Sequence, residues 1–165
     1  MGKDIKRVLF MCMGNTCRSP AAEYIAKALK KNEYHEKLEN VEFDSAGFFN
    51  FYKYAQPETV EFVEGNYDID MSDFEGKVVD KEMLENNDLI IVMQERHMKR
   101  LKRKFKEVSN IEEKAAILLD FAGEKDIDIP DPMNLSPDEY QEVMRKVEKG
   151  VKKSIQKIIM LNEKN

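Results

Sequence analysis

Two periods of hydrophobic and polar positions run through the chain. Short runs rich in Val, Ile, Leu and Phe recur at 7–11, 41–44, 89–93 and 116–119 and predict strands. Between them the period lengthens to that of a helix. A helix over 20–31 gathers Ala22, Ile25, Ala26 and Leu29 on one side. The last helix opens on Ser136-Pro137-Asp138-Glu139, a capping box with proline in the first turn, and carries Val143, Val147, Val151, Ile155 and Ile158 along one stripe. Alternating strand and helix predicts an α/β fold with a single open, mainly parallel four-stranded sheet and helices on both faces. The middle is less regular. Residues 50–56 are rich in aromatics, 58–64 read as a short helix, and 66–75 are acidic and predict loop with a turn or two of helix. The basic run 99–106 has helical spacing and reads as a solvated face, or as a docking patch for acidic partners.

A length of 165 residues suffices for one core, and no Pro/Gly/Ser-rich linker divides it, so one domain over 1–165 is expected. A net charge of −5 argues against a general nucleic-acid binder, which needs a basic face. Two cysteines, no signal-peptide layout and no apolar stretch near membrane-spanning length point to a reducing compartment, the cytoplasm, and away from a membrane. His35 and His97 are isolated and form no zinc-spaced cluster with the cysteines, so no metal and no cofactor are expected.

The chemistry concentrates in Val8 to Pro20, where an apolar strand delivers Cys12 into a tight loop and Arg18, six positions on, opens a helix. A loop of this size can turn the backbone N–H groups between Met13 and Ser19 inward as a concave anion nest, at the positive end of the helix dipole. Arg18 adds a planar, two-pronged donor for phosphate oxygens. In that field the thiolate of Cys12 is favoured, and phosphoryl transfer to sulfur is the chemistry implied. Gly14 and Asn15 stand where positive φ is expected, and Cys12 falls at the carboxyl end of a strand, where sheets of this class bind ligands.

The segment Cys12-Met13-Gly14-Asn15-Thr16-Cys17-Arg18-Ser19-Pro20 resembles the signature of the low-molecular-weight protein tyrosine phosphatases. Further along, Asp44-Ser45-Ala46-Gly47 resembles the end of the second strand of that family, the 88–93 run the third, and Ile129-Pro130-Asp131-Pro132 the general-acid loop. The resemblance covers nearly the whole chain in order. It implies a cytoplasmic hydrolase acting on a phosphorylated protein through a phosphocysteine on Cys12, with the amides of Met13, Gly14, Asn15, Thr16 and Cys17 and the guanidinium of Arg18 holding phosphate. It implies Asp131 as general acid, chosen over Asp126, Asp128 and Asp138 by family spacing alone, and Ser19 as a hydroxyl donor to the Cys12 sulfur, where a bare sequence reading allows a helix cap. By the same resemblance Ser45 supports Asn15, and Cys17, otherwise a small packed residue, forms a reversible disulfide that shields Cys12 from over-oxidation. A monomer or weak dimer is expected.

Three departures change the picture. Met133 and Asn134 follow Asp131-Pro132 where many tyrosine-specific members carry two aromatics, so stacking on the substrate ring falls to Phe48, Phe49, Phe51, Tyr52 or Tyr54, unless these fill the core or face a partner. Thr16 resembles the protein-arginine phosphatases of the same fold, which makes phosphoarginine the alternative to phosphotyrosine. Asp73 stands near the place of a loop-supporting histidine. Arsenate reduction on this fold requires additional cysteines downstream of Cys17, of which there are none, so that reading needs an external thiol.

Overall fold

Val8, Leu9, Phe10 and Met11 put no polar group on either side of a strand, and such a strand needs cover on both faces. The computed structural model, which describes residues 3–50 and 52–165, places them accordingly in an inner strand. Strands β1 (Arg7–Cys12), β2 (Glu42–Gly47), β3 (Leu89–Val92) and β4 (Ala115–Ile117) form one sheet, parallel throughout, in the order β2-β1-β3-β4. The register sets Val8 against Phe43 on one side and Leu89 on the other, and Cys12 against Gly47.

Alternation along β1 separates two cores. Val8, Phe10 and Cys12 face helices α1 (Arg18–Asn32), α2 (Pro57–Asn66) and α7 (Pro137–Glu163), whereas Leu9 and Met11 face α3 (Lys81–Asn86) and α4 (Glu95–Lys104). Successive connections leave β1 toward β2 on one side and reach β3 on the other, so the carboxyl end of β1 is a topological switch point, where open α/β sheets form their ligand crevice. Cys12 is the last residue of that strand. Among the described residues no helix is long and apolar enough to cross a membrane.

The expected elements are present with shifted edges. Helix α1 begins at Arg18, two residues before the proline, because Pro20 fits the first turn of a helix, where its missing N–H leaves no bond unmade. The strand expected over 116–119 ends at Ile117, where the chain enters the one-turn helix α6 (Leu118–Phe121) and turns Leu118 and Leu119 onto α7. The two pack so closely that a Cβ on Gly150 of α7 would lie 2.7 Å from Leu118 Cγ. Helix α3 was not expected; its signal is Asp80, whose side chain accepts from the Met83 N–H as an N-cap. The basic helix covers Glu95–Lys104, ending before Phe105, which is buried, and a further single turn, α5 (Ile111–Lys114), leads into β4. Residues 67–75 are loop without helix.

Candidate active site

Each carbonyl of the loop after β1 that the structure shows bonded is held from outside. Met13 O accepts from the Phe49 N–H (2.9 Å), Gly14 O from Asn50 Nδ2 (3.2 Å), Thr16 O from the Gln56 N–H (2.8 Å) and Cys17 O from Thr59 Oγ1 (3.2 Å). Thr59 Oγ1 spends its proton there, so the Tyr140 hydroxyl donates to it at 2.7 Å, and α2 and α7 together brace the back of the loop. The N–H groups of Gly14, Asn15, Thr16 and Cys17, by contrast, donate to no acceptor among the described residues. Carbonyls bonded from outside, with the N–H groups left unbonded, is the polarity expected of an anion nest.

The turn that reverses the backbone falls on Asn15, with φ 55°. The expectation of positive φ at Gly14 is corrected: its φ is ordinary, and a Cβ there would meet nothing closer than Thr16 Oγ1 at 3.7 Å. Asn15 tolerates the left-handed conformation because its amide is fully used. Nδ2 donates to Ser19 Oγ (2.9 Å) and Ser45 Oγ (3.0 Å), and Oδ1 accepts from the Lys77 N–H (3.0 Å). Gly47, at the end of β2, admits the loop by having no side chain: a Cβ there would lie 2.7–2.8 Å from Phe49 O, Asn15 N and Gly14 C.

Hydrogen counting along this row fixes the direction of its last bond, the one to Cys12. Glu23 Oε2 accepts from Lys27 Nζ (2.5 Å) and Oε1 from Ser45 Oγ (2.5 Å), so Ser45 accepts from Asn15, and Asn15 donates its second proton to Ser19. Ser19 Oγ, fully buried, is left with one proton and one neighbour for it, the Cys12 sulfur at 2.9 Å. A Cys12 S–H donating the other way would strand that proton, so the sulfur is the acceptor of this bond. Ser19 makes no cap; Cys17 is the N-cap of α1, with no side-chain cap bond, and the first turn holds no acidic residue. Glu23 was not foreseen. It lies one turn after Ser19 with 4% exposure, and burial pushes its carboxyl up while Lys27 and Ser45 pull it down. Asp73 lines a shallow surface pocket together with Glu23 and Lys27.

Arg18, 2% exposed, divides its guanidinium between holding and binding. Nη1 donates to Gln94 Oε1 (2.6 Å) and to Ile129 O (2.8 Å), while Nε has no partner among the described residues. The edge formed by Nε and Nη2 is therefore left as a two-pronged donor. Gln94 is the second unforeseen residue; its signal is its place just past β3, on the carboxyl side of the sheet.

A cavity of about 230 Å³ is lined by Cys12, Met13, Gly14, Thr16, Cys17, Arg18, Tyr52, Asp131 and Met133. Asn15, Ser19 and Ser45 lie behind it. Asp131 is exposed, and its Oδ1 accepts from the Met133 N–H at 3.0 Å, fixing the turn. Asp128 is committed elsewhere, accepting from the Glu95 N–H at the start of α4. Of the aromatics, Tyr52 lines the cavity; Phe48 is corrected to a core residue, 1% exposed, and Phe51 lies outside the described residues. Cys12 and Cys17 are free thiols, and burial pushes the Cys17 thiol up. A wider cavity of about 370 Å³ near Arg7, Phe43 and Asn87 lies by the amino end of β1, and its lining includes no cysteine, serine or threonine.

His97, fully buried on α4, accepts the Met93 N–H at Nδ1 (3.3 Å) and packs on Phe48. Burial, then the charges of Arg18, Arg96 and Arg100, pull it down to about 3. The unfolded chain takes a proton near pH 6.5 and the folded one does not, so stability falls as pH drops from about 6.5 toward 3, by roughly 1.4 kcal/mol per unit from this group. Urea unfolding between pH 7 and 4 should show this slope in the wild type and a flatter one in His97→Gln; parallel slopes would assign acid sensitivity elsewhere.

The same fold is found in the low molecular weight protein tyrosine phosphatase from T. tengcongensis, with TM-score 0.80 and 33% identity over 92% of this chain and 98% of that one. It is also found in the YwlE arginine phosphatase, seen as a Cys-to-Ser mutant with a phosphorylated active-site serine, with TM-score 0.79 and 25% identity over 92% and 94%. The low molecular weight phosphotyrosine protein phosphatase of Gallus gallus is 32% identical over 132 residues, 78% of this chain and 80% of its own. With residues 7–164 matching the family described as low molecular weight phosphotyrosine protein phosphatase, the chain belongs to that family of cysteine-dependent hydrolases.

Proposed function

We propose that this phosphatase hydrolyses phosphotyrosine in proteins, with Cys12 as nucleophile, Arg18 and the loop amides as the phosphate cradle, Ser19 as stabiliser of the thiolate and Asp131 as general acid and base. The observation that carries the reading is the polarity of the loop: carbonyls bonded from outside, N–H groups left unbonded, and a buried serine hydroxyl with only the Cys12 sulfur to receive its proton. In the first step the Cys12 sulfur bonds to phosphorus as the P–O bond to the tyrosyl oxygen breaks, and Asp131 gives that oxygen its proton. In the second, Asp131 takes a proton from water as the water oxygen attacks phosphorus and the S–P bond breaks, releasing inorganic phosphate. Charge spreads over three equatorial oxygens, which the amides and the free edge of Arg18 are placed to hold. Two free cysteines suit a reducing compartment, and we place the enzyme in the cytoplasm.

Tyr52, 43% exposed, forms one wall of the cavity and Met133 another, which favours a planar phenyl ring. Stacking there contributes about 0.5–1.5 kcal/mol, up to roughly tenfold in selectivity. A second reading, phosphoarginine, rests on Thr16, which lines the same cavity beside Cys12, and on the likeness to an arginine phosphatase. The test compares kcat/KM on matched phosphotyrosine and phosphoarginine peptides for the wild type and Thr16→Ile. The wild type is expected to prefer phosphotyrosine. A wild type preferring phosphoarginine, reversed by the substitution, would establish the second reading; no turnover of any phosphopeptide or aryl phosphate would overturn both.

A further inference from the structure

Six of the ten residues of α4 are Lys or Arg, in a chain of net charge −5. Three of them, Arg96, Arg100 and Lys104, recur every fourth residue and so share one face of the helix. That row is joined to the cavity through one side chain, Gln94, which bonds the cavity residue Arg18. Arg96 Nε donates to Gln94 Oε1 (3.2 Å), the oxygen that also holds Arg18. Farther along, the Arg100 guanidinium lies 5.5 Å and the Lys104 ammonium 5.9 Å from the centre of the Phe49 ring. Phe49, 39% exposed, is bonded through its N–H to Met13 O of the phosphate loop, so the far end of the row is also tied to the site. Among the described residues none of these three cations forms an ion pair; the pairs present all involve other residues. Like charges four apart destabilise a helix; the faces of Phe48 and Phe49 and the carboxyl end of α4 offset this in part, but no carboxylate among the described residues pairs with them.

We infer that the Arg96, Arg100 and Lys104 face of α4 is a docking rail for the peptide flanking the phosphorylated residue, selecting substrates with acidic side chains at alternate positions. The spacing supports the alternation. Four helical residues rise about 6 Å, and two residues of an extended peptide span about 6.6 Å, so the three successive cations meet three alternate side chains of the peptide. Phe49, within reach of both Arg100 and Lys104, adds apolar surface beside them. The inference rests on the phosphatase reading of the neighbouring cavity.

Two phosphopeptides with the same phosphorylated tyrosine separate the alternatives, one with Glu at three alternate flanking positions and one with Ser there, alongside a free aryl phosphate. At low salt the wild type should prefer the acidic peptide by about tenfold, carried mainly in KM, and the preference should shrink as salt screens it. Arg100→Gln with Lys104→Gln should remove the preference and leave aryl phosphate turnover unchanged. Lys102→Gln with Arg103→Gln, exposed on the rest of the helix, should keep it. Equal kcat/KM for the two peptides in the wild type, or equal loss in both double variants, would overturn the rail while aryl phosphate turnover left the phosphatase reading intact. If nothing is hydrolysed, that reading fails instead, and peptide binding by fluorescence anisotropy to Cys12→Ser decides the rail by the same comparison. Tighter binding of single-stranded RNA or phosphatidylserine vesicles than of the acidic peptide, lost in the Arg100/Lys104 variant, would overturn it in favour of that surface.

Discussion

Replacing Cys12 by serine is expected to lower turnover of an aryl phosphate by on the order of 10⁴-fold or more while inorganic phosphate still binds. The cradle survives the change, because the unbonded loop N–H groups and the Arg18 edge do not depend on the sulfur. What is lost is the nucleophile: an alcohol at this place is not ionised by one hydroxyl neighbour, and an alkoxide is a poor leaving group for the second step. Slow attack by the new serine should therefore end in a stable phosphoserine, visible by mass spectrometry as one added phosphoryl group, as in the Cys-to-Ser mutant of the arginine phosphatase. Rates, phosphate affinity by calorimetry and a thermal melt check the three parts. Turnover within a factor of ten of the wild type would move the nucleophile elsewhere, to Cys17 as the other thiol of the cavity.

Asp131→Asn should cost about 10²–10⁴-fold with a poor leaving group such as phenol and far less with a nitrophenol, since only the poor one must be protonated as it departs. The substitution is close to a pure removal of the proton, because the asparagine oxygen can still accept from the Met133 N–H and keep the turn. A steeper dependence of kcat/KM on leaving-group acidity in the variant is the result expected. Equal losses on both substrates would show that Asp131 shapes the loop rather than moving a proton. Asp128 is a poor replacement, since it is engaged with the first turn of α4.

The sequence made the fold and the place of Cys12 at the end of β1 legible because both are written locally. An apolar run of four followed by a cysteine, a tight loop and a helix start is contiguous, and the hydrophobic period distinguishes strand from helix within a few residues. The contacts of Asn15 with Ser45 and of Ser19 with Cys12 were approachable because the resemblance paired them, whereas the bond from Asn15 to Ser19 was not read. Glu23 and Gln94 stayed hidden for a physical reason. A glutamate on a helix reads as solvent-facing by composition, and only the packing of α1 against β2 turns this one inward to Ser45. Gln94 lies 76 positions from Arg18, and the bond between them exists only because β1 and β3 are neighbours in the sheet. The aromatic segment was the least readable. Five rings within seven positions look alike in a sequence, yet Phe48 fills the core under α4, Phe49 sits beneath two cations and Tyr52 reaches the cavity.

The Asn15 side chain, sealed from water and clamped between two serine hydroxyls, has a use beyond holding the loop. Its two amide protons exchange slowly with solvent under those conditions, so they give a separate pair of nuclear magnetic resonance signals. One proton points to the oxygen whose own hydrogen faces the Cys12 sulfur, the other to the oxygen that leads to Glu23. The chemical-shift difference between them is thus a built-in indicator: ionisation, phosphorylation or oxidation at sulfur moves the first signal, and a change of charge at Glu23 moves the second.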